Sequence, residues 1–221
     1  GDLDTSAGAS WKPGPVLVTT PASLLGDAGA PAVWLAVART GWLLAVALAA
    51  RLAWRLARGC GAGERAALAA AGVAAISLVL LHDGFTPWIR QFAGGLAEPL
   101  LVALVLGAIE AHLSEARRAA LGLLVAAALL RPEVWPFLAA YGWWLWRADG
   151  GASLRPWLLG AAVAVPALWF VPDLIGSGSA TSGAERAAAD REGPLTNGLE
   201  ALWRALGLAP AALLAALALL L

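Results

Sequence analysis

The hydrophobic residues of this chain are grouped into long runs that short polar segments separate. A helix needs about 20 residues, at ~1.5 Å per residue, to cross the ~30 Å hydrocarbon core of a bilayer, and several runs approach that length. The pattern therefore predicts an all-α fold, a polytopic transmembrane helical bundle in one domain. The predicted spans are residues 31–51, 66–81, 95–113, 119–130 paired with 133–146, 157–171 and 202–221.

One of these spans is predicted to be broken. As a helix, residues 119–130 would rise only about 18 Å, which is too short to cross a membrane alone. Pro132 and Pro136 each remove a backbone donor, so an unbroken helix through both is not expected. The chain then forms either one long kinked span or two half-depth helices that meet at residues 131–133.

Basic residues favour the second alternative, in which the chain returns to the side it came from. Three basic turns, at residues 51–65, 114–118 and 147–155, then lie on the same side. By the positive-inside rule that side is cytoplasmic. The remaining polar segments, residues 1–30, 82–94 and 173–200, are then predicted to be extracytoplasmic loops.

Composition agrees with a membrane protein. The 221 residues are 60% hydrophobic and 14% charged, with a mean hydropathy of +0.74, whereas soluble domains have about 45–50% apolar and about 25% charged residues. The net charge is zero, which argues against a nucleic-acid partner. Cys60 is the only cysteine, so no intrachain disulfide is expected. Because the chain starts at Gly1 without a methionine and ends within an apolar run, it is expected to be part of a longer protein.

The sharpest chemical signal is Arg131 with Glu133, on either side of Pro132 in an apolar stretch. Charged side chains at membrane depth are rare and usually face a bundle interior or a wet cavity. A guanidinium there suits a phosphate or pyrophosphate at head-group level, and the glutamate could hold a sugar hydroxyl or orient the arginine. The alternative is an internal ion pair that only fixes the helix break.

Other charged residues have both a functional and a structural interpretation. Glu98 opens a span and could contact substrate, although the helix dipole also explains an acid there. Lys12 could bind a lipid phosphate or anchor the chain at the interface, and Arg90 could be a second phosphate contact or a snorkelling arginine. Arg39, within a span, is expected to pair with a buried acid such as Glu98.

The amino-terminal acids Asp2 and Asp4 are candidates for a general base, although solvated terminal acids are more common. No metal-binding spacing, glycine-rich phosphate loop or nucleophile elbow is present in the sequence. No cofactor is predicted, and the sequence gives a divalent metal no support.

Three short motifs occur in a characteristic order along the chain. They are Lys12-Pro13-Gly14-Pro15 before the first span, Glu98-Pro99-Leu100 at the start of a later span, and Arg131-Pro132-Glu133 between two short helices. In this order they resemble the multi-pass GT-C glycosyltransferases, the mannosyltransferase-like membrane enzymes of bacteria. Gly14 departs from the proline that is usual at that position of the family motif. The composition, rich in alanine and arginine, also resembles that of a bacterium with a GC-rich genome.

The resemblance implies a GT-C-like fold in the bacterial plasma membrane and an inverting transfer from a polyprenyl-phosphate sugar to a glycan, lipid or protein acceptor on the outer face. It assigns the donor phosphate to Arg131 with Lys12 or Arg90, and sugar contacts or arginine orientation to Glu98 and Glu133. The catalytic base would be Asp2, Asp4 or a residue upstream. Two alternatives remain: a transporter or flippase of a lipid-linked or anionic solute, which would also use broken helices, and a non-catalytic membrane scaffold.

Overall fold

The computed structural model describes residues 12–80, 82–83, 86–148 and 151–179, and this part of the chain is all-α, as predicted. Its eight α-helices are α1 (Pro13–Ala22), α2 (Gly29–Gly59), α3 (Glu64–Leu80), α4 (Trp88–Gly94), α5 (Glu98–Leu113), α6 (Arg117–Leu130), α7 (Trp135–Arg147) and α8 (Arg155–Ser177). Short 3₁₀ turns precede α7 and α8. Two antiparallel two-residue strands, β1 (His82–Asp83) and β2 (Thr86–Pro87), lie between α3 and α4, with His82 opposite Pro87.

Two of the described helices, α2 and α8, are long and apolar enough to cross a membrane by length and composition. They have 31 and 23 residues. The helices over the other predicted spans are shorter, with 17 residues in α3, 16 in α5, 14 in α6 and 13 in α7. The predicted span 202–221 lies outside the described residues.

Helices also occupy three segments that the polar pattern assigned to loops. Within 1–30, α1 begins at Pro13, where a missing N–H costs nothing because the first turn has no partner for it. Within 82–94, α4 ends before Gly95, which has a φ of 66°. Beyond 173, α8 continues to Ser177 and is terminated by Gly178, whose φ of 75° places it in the left-handed conformation common after helices.

The long helix α2 lies at the centre of the amino-terminal half, packed against α1, α3, α4 and α5. It runs parallel to α5 at close range. A Cβ placed on Gly41 would lie 2.6 Å from the Cα of Leu100, and the Trp34 indole donates to the Gly95 carbonyl at 2.9 Å. Small residues let helix backbones approach this closely.

The carboxy-terminal half is built on the hairpin of α6 and α7. Leu121, near the start of α6, packs with Leu145, near the end of α7, so the two helices are antiparallel. The Arg117 guanidinium lies 5.4 Å from the centre of a Trp144 ring. Of the two alternatives for residues 119–146, this is the arrangement in which the chain returns.

Charge is distributed unevenly between the two ends of the bundle. Because α2, α5 and α7 run in one direction and α3, α6 and α8 in the other, one end, called here the basic end, holds eight of the eleven arginines in the described residues: Arg51, Arg55, Arg58, Arg65, Arg117, Arg118, Arg147 and Arg155. The other end, called here the motif end, holds the starts of α1, α5 and α7 and the ends of α6 and α8. All three sequence motifs therefore belong to the motif end.

Candidate functional site

The site is organised around the predicted break between α6 and α7, which the structure confirms. Helix α6 ends at Leu130, and Arg131 is extended, with φ −146° and ψ 126°. The cause is Pro132, whose ring disfavours helical geometry in the residue before it. A 3₁₀ turn over Pro132–Val134 then leads into α7. The break holds the Arg131 backbone outside both helices.

Two tryptophans stabilise this break. Pro132 has no N–H, so the Ala128 carbonyl loses the donor that an uninterrupted helix would supply four residues later. The Trp135 indole of α7 donates to that carbonyl at 3.2 Å, and the Trp169 indole of α8 donates to it at 3.0 Å. Ala128 is fully buried, so an unsatisfied carbonyl there would be costly. One backbone oxygen thus ties α6, α7 and α8 together.

Replacing Trp169 with phenylalanine is expected to lower the free energy of unfolding by about 1 kcal/mol, the usual net value of one hydrogen bond. The ring volume is largely kept, and Trp135 still satisfies the carbonyl. Thermal unfolding of the purified chain in detergent measures the loss. Trp157→Phe is the matched control, because Trp157 is 65% exposed. Equal losses in both variants would contradict the role given to the Ala128 carbonyl.

Arg131 joins two of the predicted motifs through ion pairs. Its guanidinium contacts the Glu98 carboxylate at the start of α5, and it lies 3.8 Å from Glu133. The side chains of Arg131, Glu98 and Glu133 are 26%, 32% and 58% exposed, so Glu133 is the most accessible member. The expected pairing of Arg39 with Glu98 is wrong, because the backbone extension at Arg131 brings its guanidinium to Glu98 instead.

The third motif meets the same break through α1. A Cβ on Gly14 would lie 2.7 Å from Leu130 Cδ2 and 3.0 Å from the Leu129 carbonyl oxygen, so α1 begins against the end of α6. Lys12 directly precedes this contact and caps α1 in an extended conformation. Gly14, where the family motif has proline, is the residue that permits this approach. The three motifs thus converge on one place from three separate helices.

One predicted site residue, Arg90, lies away from this convergence. Arg90 is exposed on α4, which packs against α2, α3 and α5. Among the described residues, no ion pair or hydrogen bond connects it to Arg131, Glu98 or Glu133. Asp2 and Asp4 lie outside the described residues.

Sequence reasoning missed two acids that are buried. Asp173, assigned to a loop, is 4% exposed in α8. It lies one turn beyond Trp169, and therefore near the level of the break. At the basic end, Glu110 accepts from Arg51 Nε at 2.8 Å and from Arg55 Nη1 at 2.9 Å. The sequence held one signal for this second cluster. Glu110 lies three residues before the end of a predicted apolar span, and another predicted span leads into a run of arginines.

The Arg131 cluster, meaning Arg131 with Glu98 and Glu133, carries one positive and two negative charges, with Lys12 nearby. Such a set can fix a guanidinium, accept hydrogen bonds from hydroxyl groups and exchange a proton through the exposed carboxylate. Within the described residues, no group of three or more His, Cys, Asp and Glu side chains could hold a metal ion.

Comparisons with protein-family models, curated proteins and solved structures found no match.

Proposed function

We propose that this chain is part of a membrane glycosyltransferase that moves a sugar from a polyprenyl-phosphate donor to an acceptor on the extracytoplasmic face. The convergence of Lys12, Glu98 and Arg131 at one helix break carries the proposal. The motifs that contain them were identified by their resemblance to one enzyme family, and they lie far apart in the chain. Their meeting in space is what a shared site requires.

Exposure of the long helices supports the membrane part of the proposal. Only 22% of the apolar window of α2 and 17% of that of α8 is buried inside the protein. The core helix of a soluble protein is mostly buried, so lipid is the natural environment of these surfaces. Large apolar side chains on α7 and α8 are similarly open, with Phe137 and Val163 each 71% exposed.

Arginine distribution supports the orientation. By the positive-inside rule, the eight arginines at the basic end favour a cytoplasmic position for that end and an extracytoplasmic one for the Arg131 cluster. A lipid-linked donor that reaches the outer leaflet would present its phosphate at that level. The bacterial plasma membrane is the location that this arrangement and the sequence resemblance together favour.

In the proposed reaction, an acceptor hydroxyl attacks the anomeric carbon of the donor sugar. The bond from that carbon to the phosphate oxygen breaks, polyprenyl phosphate leaves with the electron pair, and the hydroxyl proton passes to a carboxylate. The resemblance gives this base role to Asp2 or Asp4. Arg131, held in place by Glu98, would stabilise the leaving phosphate together with Lys12, and Glu133 would accept from a sugar hydroxyl.

The test uses the complete protein in membrane vesicles with a radiolabelled polyprenyl-phosphate sugar and an acceptor extract. Arg131→Ala is expected to lower the transfer rate by about 10²-fold, since a preorganised group at a reacting charge is typically worth that much. Arg65→Ala is the control, because Arg65 is exposed at the basic end. Arg131→Lys, which keeps the charge without the planar fork, should recover part of the rate.

Two results would contradict the proposal. Movement of labelled lipid between leaflets without transfer to an acceptor would favour a transporter or flippase. Undiminished sugar transfer by a stably folded Arg131→Ala variant would show that the Arg131 cluster takes no part in the reaction.

A further inference from the structure

An open groove runs between α7 and α8, and its walls are apolar. Its volume is about 420 Å³, and none of the residues that line it is charged. They include Trp135, Trp143 and Trp146 of α7 and Leu158, Leu159 and Val165 of α8. Ligand sites in proteins have volumes of about 300–1,000 Å³ and mostly apolar walls. The groove therefore has room for a ligand with a long apolar part.

The length of the groove matches one leaflet of a membrane. Its lining extends from Trp135 to Trp146, over which α7 rises about 17 Å at ~1.5 Å per residue. The hydrocarbon core of a bilayer is ~30 Å thick and is shared by two leaflets. An acyl chain of one leaflet would therefore extend along the groove from one end to the other.

Two arginines lie against the rim of the groove at the basic end. The guanidinium carbon of Arg147 is 4.2 Å from the centre of a Trp143 ring, and that of Arg155 is 5.1 Å from the centre of a Trp146 ring. Both of these tryptophans line the groove. The two arginines are exposed, and none of the ion pairs among the described residues includes either of them. The rim is therefore cationic and accessible.

We propose that this groove binds an anionic glycerophospholipid, with the lipid phosphate at Arg147 and Arg155 and one acyl chain between α7 and α8. Charge complementarity carries the choice of ligand, because guanidinium groups bind phosphate oxygens and basic pockets between transmembrane helices bind anionic head groups. The apolar groove and the cationic rim follow each other in the order of the two parts of such a lipid. The site rests on the membrane part of the proposed function but not on sugar transfer.

The rim also separates this lipid from the sugar donor. The donor phosphate is assigned to the Arg131 cluster at the motif end, whereas Arg147 and Arg155 belong to the basic end. A lipid held by these two arginines comes from the leaflet at the basic end, which is the cytoplasmic leaflet in the proposed orientation. Because the groove reaches Trp135 beside the break, the chain of the donor lipid is the competing occupant that the test must exclude.

Binding of radiolabelled dioleoyl phosphatidylglycerol to the full chain in micelles of a neutral detergent tests the proposal. Arg147→Gln and Arg155→Gln are each expected to weaken binding about fivefold, the attraction of one basic residue to an anionic lipid. Arg65→Gln is the matched control, because Arg65 is exposed at the same end on α3, which packs against α2 and α4. Its loss is expected to change binding less than about twofold. Equal weakening by Arg155→Gln and Arg65→Gln would overturn the site.

A second pair of variants tests the place of the acyl chain without changing charge. Ala162 is exposed and lines the groove, so Ala162→Phe puts a ring into the space of the chain. Binding is expected to weaken about fivefold or more, since overpacking a filled space is costly. Ala164→Phe is the control, because Ala164 is exposed on the same helix and does not line the groove. Equal binding by these two variants would overturn the proposal.

Competition identifies the part of the lipid that is recognised. Unlabelled phosphatidylglycerol should displace the label, while dioleoyl phosphatidylcholine, glycerol phosphate and undecaprenyl phosphate should require much higher concentrations. Displacement by phosphatidylcholine at the same concentration would overturn recognition of the negative charge, and displacement by glycerol phosphate would overturn the role of the groove. Displacement by undecaprenyl phosphate would assign the groove to the chain of the sugar donor instead.

Thermal unfolding of each variant without lipid monitors folding, and all of the substituted side chains are exposed. Failure of the unmodified chain to bind phosphatidylglycerol would overturn the proposal, and the predicted span 202–221 would then be the alternative occupant. The binding measurement is independent of sugar transfer. Normal lipid binding with no transfer would contradict only the proposed function, and transfer without lipid binding would contradict only this site.

Discussion

Replacement of Glu110 by alanine is expected to lower the free energy of unfolding by about 2 kcal/mol, between the value of an exposed ion pair and that of a fully buried one. The Glu110 side chain is 12% exposed and accepts hydrogen bonds from Arg51 and Arg55. Its loss leaves two guanidiniums, one turn apart on α2, without a counter-charge. The effect is smaller than for a fully buried pair because the Arg51 and Arg55 side chains are 65% and 35% exposed and water solvates them.

Chemical or thermal unfolding of the purified chain in one detergent measures this loss. Glu64→Ala is the matched control, since Glu64 is 60% exposed and lies 3.8 Å from Arg58. An exposed pair of this kind is worth less than about 1 kcal/mol. Similar losses in the two variants would show that the buried position of Glu110 adds nothing.

Because Arg55 also donates to Ser114 Oγ at 2.8 Å, Ser114→Ala should lower the free energy of unfolding by a smaller amount than Glu110→Ala.

Replacement of Gly41 by valine is expected to have a comparable effect through a different cause. The first added carbon would lie 2.6 Å from the Leu100 Cα and 2.8 Å from its Cβ. Backbone atoms cannot move aside without separating α2 from α5, so the cost is that of strong overpacking, about 3 kcal/mol. A lowered midpoint of thermal unfolding is the expected observation.

The position of the clash sharpens the test of Gly41. Leu100→Ala shortens the side chain but leaves Cα and Cβ in place, so it is not expected to rescue Gly41→Val. Gly72→Val on α3 is the control, because an added Cβ there has no heavy atom within 4 Å. Full rescue by Leu100→Ala would mean that side chains rather than backbones determine the separation of α2 and α5.

Local rules predicted the break in the carboxy-terminal half well. The effect of Pro132 on Arg131 depends only on neighbouring residues, so the sequence was sufficient to place the end of α6. The same holds for the all-α character, which follows from composition and run length. Helix α4 was missed because a short segment rich in polar residues resembles a loop when its packing partners are unknown.

Partners across the fold could not be predicted in this way. Glu98 was named as a partner for Arg39 because an arginine within a span is expected to pair with a buried acid, yet the extended backbone at Arg131 decides the pairing. Nothing in Ala128 itself indicates that its carbonyl needs an outside donor. The signal is Pro132, four positions later, which lacks the N–H that would bind this carbonyl in a continuous helix. Its two tryptophan donors come from other helices, and only their positions in the fold reveal them.

The contact of Gly14 with Leu129 and Leu130 has a consequence for the biogenesis of this protein. A nascent chain emerges from its amino terminus, so α1 and α2 are synthesised well before α6. Until α6 leaves the ribosome, α1 can pack only against α2, and Lys12 lacks its place beside the break. The docking of α1 against the end of α6 is therefore a late step in synthesis. A ribosome that stalls once α5 has left its exit tunnel, but with α6 still inside, would hold α2 and α5 paired while the place of Lys12 beside the break is not yet formed.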